Sequence, residues 1–444
     1  MKINVAGAGA GKTTGLANEI IEKHKSVVDN KNIYCLAFTN SAVASIKEKL
    51  QTHYGIIPNN IIVSTIHSFF YHEFISPYYF LLFGKHYKSI STIHLPVEQA
   101  YKNRKLTELE NKDILHIEKI PERAKWVAYK KSTDKAHEKS IRASIVNSFL
   151  TYCDTIYVDE AQDIDSDMKE IFYSLDKSGV TLVFNGDPKQ DIRGYGCFRE
   201  MITQHRDDVT YNSTCHRSPE EHLKITNSLI PSEEKQVAQK DGGKIELVFE
   251  KDCCLNELMS KDFDLKFIYK KNDRFDTHSE RKFSLNFDNL YYEIHSVLSS
   301  IPKGDDIAAT NYLSYQFAKL IIGRYKSGES VSRAIKPFCD YVGKLEKEQY
   351  AKICSTFSAC DLTSASAFVV NSIESVKGLE GENCLFILTT DLAAYLFGKK
   401  SNENKIKNAL YVALTRSLNS LTILITKEVE EEYGKQKISE FLLK

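Results

Sequence analysis

Residues 3–14 read INVAGAGAGKTT, a short apolar strand (Ile3, Val5) interrupted by a glycine-rich turn that ends in Gly11-Lys12-Thr13. Few turns constrain a fold as strongly. With glycine at 7, 9 and 11, the backbone N–H groups of the stretch Gly7, Ala8, Gly9, Ala10, Gly11 can approach anionic oxygens that larger side chains would hold away. Lys12 is placed to reach the β- and γ-phosphates of a nucleotide. The Thr13 hydroxyl is placed to hold Mg²⁺, and Thr14 completes the cradle. Ala6 stands where the strict form of this pattern has glycine. The helix expected next, with Leu16, Ile20 and Ile21 on one face, turns its positive end toward the phosphates.

Several other short apolar runs end abruptly in polar or acidic residues: IYCLAF (33–38), TIYV (155–158), TLVF (181–184), NCLFIL (383–388) and LTILIT (421–426). Runs of this length, rich in β-branched and aromatic residues and separated by helical segments, predict buried parallel strands. KIELVF (244–249) and LKFIYK (265–270) extend the set. The fold class is therefore α/β, with ligands expected beyond the carboxyl ends of the strands. Residues 68–140 and 275–365 break the pattern and read as insertions into two such cores. At 444 residues the chain has room for two or three domains.

Lys and Arg number 59, as do Asp and Glu, so no global field draws the chain to nucleic acid and any such site must be a local groove. Ten cysteines are scattered without a CxxC pair; Cys354 and Cys360 come nearest to ligand spacing, and buried thiols in a reducing compartment are the simpler reading. The strongest apolar run, Tyr78 to Phe83, is far below membrane-spanning length, and no signal-peptide core precedes the glycine loop. The expectation is a soluble cytoplasmic protein with no membrane partner.

Further along, VDEAQD (158–163) ends a predicted strand. Asp159 there suits Mg²⁺, and Glu160 suits a base that orients and deprotonates an attacking water. Gln190, in NGDPKQ (185–190), can hydrogen-bond a γ-phosphate and report its loss. Arg217 in TCHRSP (214–219) and Arg416 in YVALTRS (411–417) are candidate arginine fingers from the far half of the chain. Residues 118–142 hold eight Lys/Arg against four Asp/Glu around Trp126 and Tyr129, either a DNA-contacting face or a helical face laced with salt bridges. The aromatic run Phe69 to Tyr87 reads mainly as a packed junction.

In order, the blocks AGAGAGKTT, LAFTNSAVASIKEKL, VSTIHSFF, VDEAQD, NGDPKQDIRGYG, TCHRSP, SIESVKGLEGE and YVALTRS resemble those of superfamily 1 helicases of the UvrD/Rep kind, over residues 6–417. The resemblance implies two RecA-like P-loop domains, 1A (1–67 and 141–210) and 2A (211–274 and 366–444), with reduced helical insertions 1B (68–140) and 2B (275–365). ATP would lie in the cleft between the cores and single-stranded DNA across their tops. By motif, Gly11, Lys12, Thr13, Asp159, Glu160, Gln190, Arg217, Glu380 and Arg416 would serve the ATP site, Glu380 through the ribose. Phe38 and Tyr195 match aromatics on which bases stack, while Thr39, Asn40, Thr65 and His67 match positions near the DNA backbone.

Departures accompany these matches. The glutamine segment that reads adenine upstream of the loop in the family is not found, and His216 stands where a tyrosine usually stacks on the base. Arg193 replaces a further DNA-stacking aromatic, and Glu374 a histidine, which implies a weaker or altered grip on DNA. The short 2B region resembles that of the small helicase-like subunit of Gabija-type anti-phage systems, which works with a nuclease. Two functions follow from the resemblance. One is an ATP-dependent translocase or helicase on single-stranded DNA with 3′ to 5′ polarity. The other is a nucleotide- and DNA-sensing ATPase subunit that regulates a partner nuclease. No clustered carboxylates with a lysine suggest that this chain cuts DNA itself.

Overall fold

The computed structural model describes residues 1–28, 30–93, 95–96, 98–277, 290–299, 307–327, 329–343, 345–358 and 367–442. Cys360, and parts of the 275–365 stretch, lie outside them. Two compact units form, one of Met1–Ile90, Asp113–Lys270 and Asn371–Lys444, the other of Ser91–Lys112 and Lys271–Val370.

The first unit holds two parallel sheets. In the first, β1 (Lys2–Ala6), β2 (Asn32–Ala37), β3 (Ile61–Thr65), β4 (Cys153–Val158), β5 (Thr181–Gly186) and β6 (Val209–Asn212) run in the order β3-β2-β4-β5-β1-β6. The glycine-loop strand β1 sits between β5 and β6, with Asn4 level with Asn185 and with Thr210. In the second sheet, β7 (Lys244–Phe249), β8 (Leu265–Ile268), β10 (Phe368–Ser372), β11 (Gly381–Leu388) and β12 (Ser417–Ile425) follow the order β7-β12-β11-β8-β10. In the second unit, β9 (Phe275–Thr277) pairs in parallel with the Phe368–Val370 part of β10. The α/β class and the parallel strands inferred from the apolar runs are thus observed. Central strands carry apolar side chains on both faces because helices cover both.

One core cluster gathers Ile3, Tyr34, Phe69, Phe70, Phe149 and Phe184 on one side of the first sheet, and another gathers Leu16, Ile20, Cys35 and Ile46 on the other. The aromatic run is therefore packing, with Phe69, Phe70, Phe74 and Tyr79 buried. The basic stretch is also largely committed. Lys125 pairs with Asp167 and Glu170, Arg142 is buried against Asp134 at 2.9 Å, and Arg123 and Lys131 lie 4.0 and 4.3 Å from the Trp126 ring. The second unit is helical, with Leu290, Ile321, Ile335, Phe338 and Ile353 in a core of its own. Among the described residues, no helix is long and apolar enough to cross a membrane.

Between the first sheet and the second, which the chain first enters at Lys244, lies a small two-stranded ribbon. Ser213 separates β6 from Thr214–Cys215, a two-residue strand paired with Val237–Ala238.

Candidate active site

The turn after β1 uses its glycines for backbone freedom at two places: Gly9 and Gly11 both have φ near 72°. Gly11 is the N-cap of helix α1 (Lys12–His24), which has no side-chain cap. Its first N–H groups therefore remain open to an anion. Lys12 Nζ folds back on the loop carbonyls of Ala6 and Gly7 at 3.3 and 3.2 Å. A cavity of about 290 Å³ opens beside Lys12, Gly11 and Gly15. A larger hollow of about 490 Å³, beside Lys47 and Ile61, holds none of the candidate groups.

Asp159 leaves the end of β4 and meets Thr13, whose Oγ1 donates to its Oδ2 at 3.4 Å. Burial, and then the neighbouring charge of Glu160, push the Asp159 carboxyl up to about 7. Two hard oxygen donors at this spacing, one of them a carboxylate with a raised proton affinity, fit Mg²⁺. Glu160 adopts a left-handed backbone (φ 54°, ψ 42°), unusual for a residue with a side chain. Burial opposes its ionisation. The Lys12 charge, a hydrogen bond from Gln162 and the Lys377 charge nevertheless hold its carboxyl below the usual range. Gln162 also accepts the Asp187 N–H at 2.9 Å, which ties VDEAQD to NGDPKQ. Gln190 is buried and donates from Nε2 to Asp187 Oδ2 at 3.0 Å, so its amide is engaged within its own turn.

From the second core, Arg217 and Arg416 reach different partners. Arg217 Nε pairs with Glu380 Oε2 at 2.5 Å, and its Cβ lies 2.3 Å from where a Cβ on Gly9 would stand. The exposed His216 donates its backbone N–H to Gly9 O at 2.9 Å, and its ring lies over Gly11. Arg416 is fully buried. Its guanidinium donates to Val412 O (2.9 Å), Leu379 O (3.0 Å) and Thr415 Oγ1 (3.1 Å). Burial and then the Arg217 charge lower its pKa to about 10. The structure thus brings Lys12, Thr13, Asp159 and Glu160 together and sets Arg217 and Glu380 against the loop, while Arg416 is held on the carbonyls of its own core.

The candidate DNA residues have local structural work as well. Thr39 and Thr65 are helix N-caps, accepting Ala42 N–H (3.1 Å) and Ser68 N–H (3.2 Å). Asn40 is exposed at the start of a helix, and Phe38 is half-buried against the first core. Burial, and then the Arg193 charge, lower the His67 pKa to about 4, so its imidazole is neutral. Tyr195 is exposed, with Arg193 Nη1 at 3.5 Å from its hydroxyl.

Four residues outside the sequence-derived set also join the cores. Lys377, in KGLE, donates to both Asp163 carboxylate oxygens at 2.7 and 2.8 Å. Gln236 and Tyr411 reach the phosphate loop itself; Tyr411 lies in the YVALTRS block, whereas Gln236 lies in no motif.

Residues 1–195 match a family described as AAA domain. The whole chain is similar to the Gabija protein GajB of Bacillus cereus (strain VD045), 24% identical over 506 residues that cover 99% of this chain and 96% of that one.

Proposed function

We propose that the chain is a compact relative of the superfamily 1 UvrD/Rep-like helicases, a reading supported by the AAA-domain match and the likeness to GajB, and that it hydrolyses ATP and uses the cycle to step along single-stranded DNA, 3′ to 5′. The observation that carries the reading is the meeting of two sets of groups at one glycine loop: Lys12, Thr13, Asp159 and Glu160 from the first core, Arg217 and Glu380 from the second.

In this reading Gly7 to Thr14 hold the phosphates, and Thr13 and Asp159 hold Mg²⁺, which would neutralise charge on the β- and γ-oxygens. Glu160, kept ionised by Lys12 and Lys377, orients the attacking water and takes its proton. Arg217 leaves Glu380 for the transferring phosphoryl, and Glu380 is then free for the ribose. Arg416 must exchange its carbonyl partners to join, and Gln190 follows the γ-phosphate through Asp187. His216 lies against the base. Phe38 and Tyr195 stack bases, Arg193 supports Tyr195, and Thr39, Asn40, Thr65 and His67 line the backbone path. Domains 1A, 1B, 2A and 2B divide at the residue limits given by the motifs.

Steady-state ATP hydrolysis, measured with and without single-stranded DNA, tests this directly. DNA should stimulate turnover strongly, and Glu160→Gln should abolish it. A Lys12→Ala protein with full activity would sink the assignment.

A second reading is favoured by the likeness to GajB along nearly the whole chain, together with the occupied state of both arginines. It makes the chain an anti-phage ATPase subunit in the cytoplasm that waits for a nuclease partner. Low turnover that DNA leaves unchanged, rising only when a nuclease copurifies, would select it.

A further inference from the structure

The phosphate loop is gripped from the second core at one peptide. Ala8 N–H donates to Tyr411 Oη at 3.1 Å, Tyr411 Oη donates to Gln236 Oε1 at 3.0 Å, and Gln236 Nε2 donates back to Ala8 O at 3.0 Å. This closed ring satisfies both polar groups of Ala8 with side chains that lie more than two hundred residues away in sequence. Tyr411 is 2% exposed and Gln236 4%, so water does not compete for these bonds.

Each member is fixed from behind. The backbone of Gln236 exchanges hydrogen bonds with the Asn227 side chain, 2.9 Å to its N–H and 2.8 Å from its carbonyl. Tyr411 sits inside helix Lys405–Leu414. Glycine at 7 is what admits the Gln236 amide, because a Cβ there would stand 2.2 Å from Gln236 Cδ.

We propose that Gln236 and Tyr411 are positioning residues that set the triphosphate-facing end of the loop and couple its state to the second core. The argument rests on the nucleotide-binding reading above. Ala8 adjoins Gly9, the loop position against which Arg217 packs, so the gripped peptide lies at the end where a γ-phosphate would meet that arginine. The opposite end, Gly11 to Thr13, is held within the first core, by α1 and by the Thr13–Asp159 hydrogen bond. A shift of the Ala8 peptide on nucleotide entry must pull on Tyr411, and the helix bearing Tyr411 leads in five residues to Arg416, whose Nε is bonded to Val412 O in that same helix. Loop occupancy is thereby linked to the release of Arg416.

The test compares Tyr411→Phe and Gln236→Glu with the full-length protein. The phenylalanine keeps the buried ring and loses only the hydroxyl. The glutamate keeps the volume and loses the donor to Ala8 O. Fluorescent ADP and a fluorescent non-hydrolysable ATP analogue are titrated, and kcat and KM for ATP are measured alongside. We expect ADP affinity within twofold of wild type and affinity for the triphosphate analogue down about five- to tenfold, on the scale of one lost buried hydrogen bond. The kcat should fall more than KM rises. The double variant should be no worse than either single one, because the ring breaks as a unit.

Equal losses for ADP and the analogue would reduce the pair to a structural role and overturn the proposal, as would unchanged ratios in both variants. Wild-type protein that binds neither nucleotide would fell the nucleotide-site reading as well, and so separates that failure from a failure of the ring alone.

Discussion

Replacing Lys377 by methionine isolates the ion pair that joins KGLE to VDEAQD. The ammonium contacts Asp163 at 2.7 and 2.8 Å, with the two side chains only 16% and 13% exposed. At an effective dielectric of about 20 the gross attraction over that distance is ~6 kcal/mol. Most of it offsets the cost of removing both charges from water. A single deletion, which leaves one hydrogen-bonded charge stranded, should cost about 2–3 kcal/mol.

The pH dependence gives the sharper test. Burial raises the Asp163 pKa, opposed by Lys377 and, more weakly, by Arg193, with Glu160 acting in the same sense as burial. A carboxyl raised in the folded state holds its proton more tightly folded than unfolded, so its contribution favours the fold in acid and is lost as pH rises through the folded pKa. Without Lys377 the folded pKa climbs further. The deficit of Lys377→Met relative to wild type should therefore be largest at high pH and shrink as the pH falls through the raised folded pKa and Asp163 protonates. Urea unfolding across that range measures it, and adding Asp163→Asn should recover much of the loss. A deficit that is the same at every pH, or a double variant showing the sum of the single losses, would refute the electrostatic account.

Other substitutions have calculable outcomes. Gly15→Ala lies inside α1 with no atom within 4 Å of the new Cβ and should stabilise the protein by about 0.5–1 kcal/mol in denaturant unfolding. Asp134→Ala strands the buried Arg142 guanidinium and should cost about 3 kcal/mol by the same measurement. Tyr195→Ala, removing an exposed ring, should weaken single-stranded DNA binding by about 1–3 kcal/mol in fluorescence anisotropy without lowering the melting temperature.

The central strands were legible because parallel strands covered on both faces are apolar throughout, and runs such as TLVF and NCLFIL announce themselves. β6, VTYN, was not. It is an edge strand with mostly exposed, polar residues, and its place in the sheet comes from pairing with β1 across two hundred residues. β3, IIVST, was read only as part of a motif because its last two residues are polar.

At the site, Lys12, Thr13, Asp159 and Glu160 lie in local blocks whose geometry is set by adjacent backbone, so spacing sufficed to bring them into view. The pairing of Arg217 with Glu380 and the storage of Arg416 on carbonyls depend on contacts between distant segments. Gln236 is the extreme case. It lies on a polar loop without motif or period, and only its amide packed over Gly7 reveals why it is there.

Were the two cores to turn about Ser213, the lone residue between β6 and Thr214–Cys215, the pivot would lie close to the phosphate loop, because His216 N–H is bonded to Gly9 O. Arg217 follows four residues later, and at about 3.5 Å per residue its Cα lies within ~14 Å of that point. Turning one core through about 10° about Ser213 would sweep Arg217 along an arc of no more than ~2.4 Å. Such a throw is short, close to the difference between a made and a broken hydrogen bond. Side chains farther out on the same core would travel proportionally more, so a rotation large at the rim would register at Arg217 as a simple on or off.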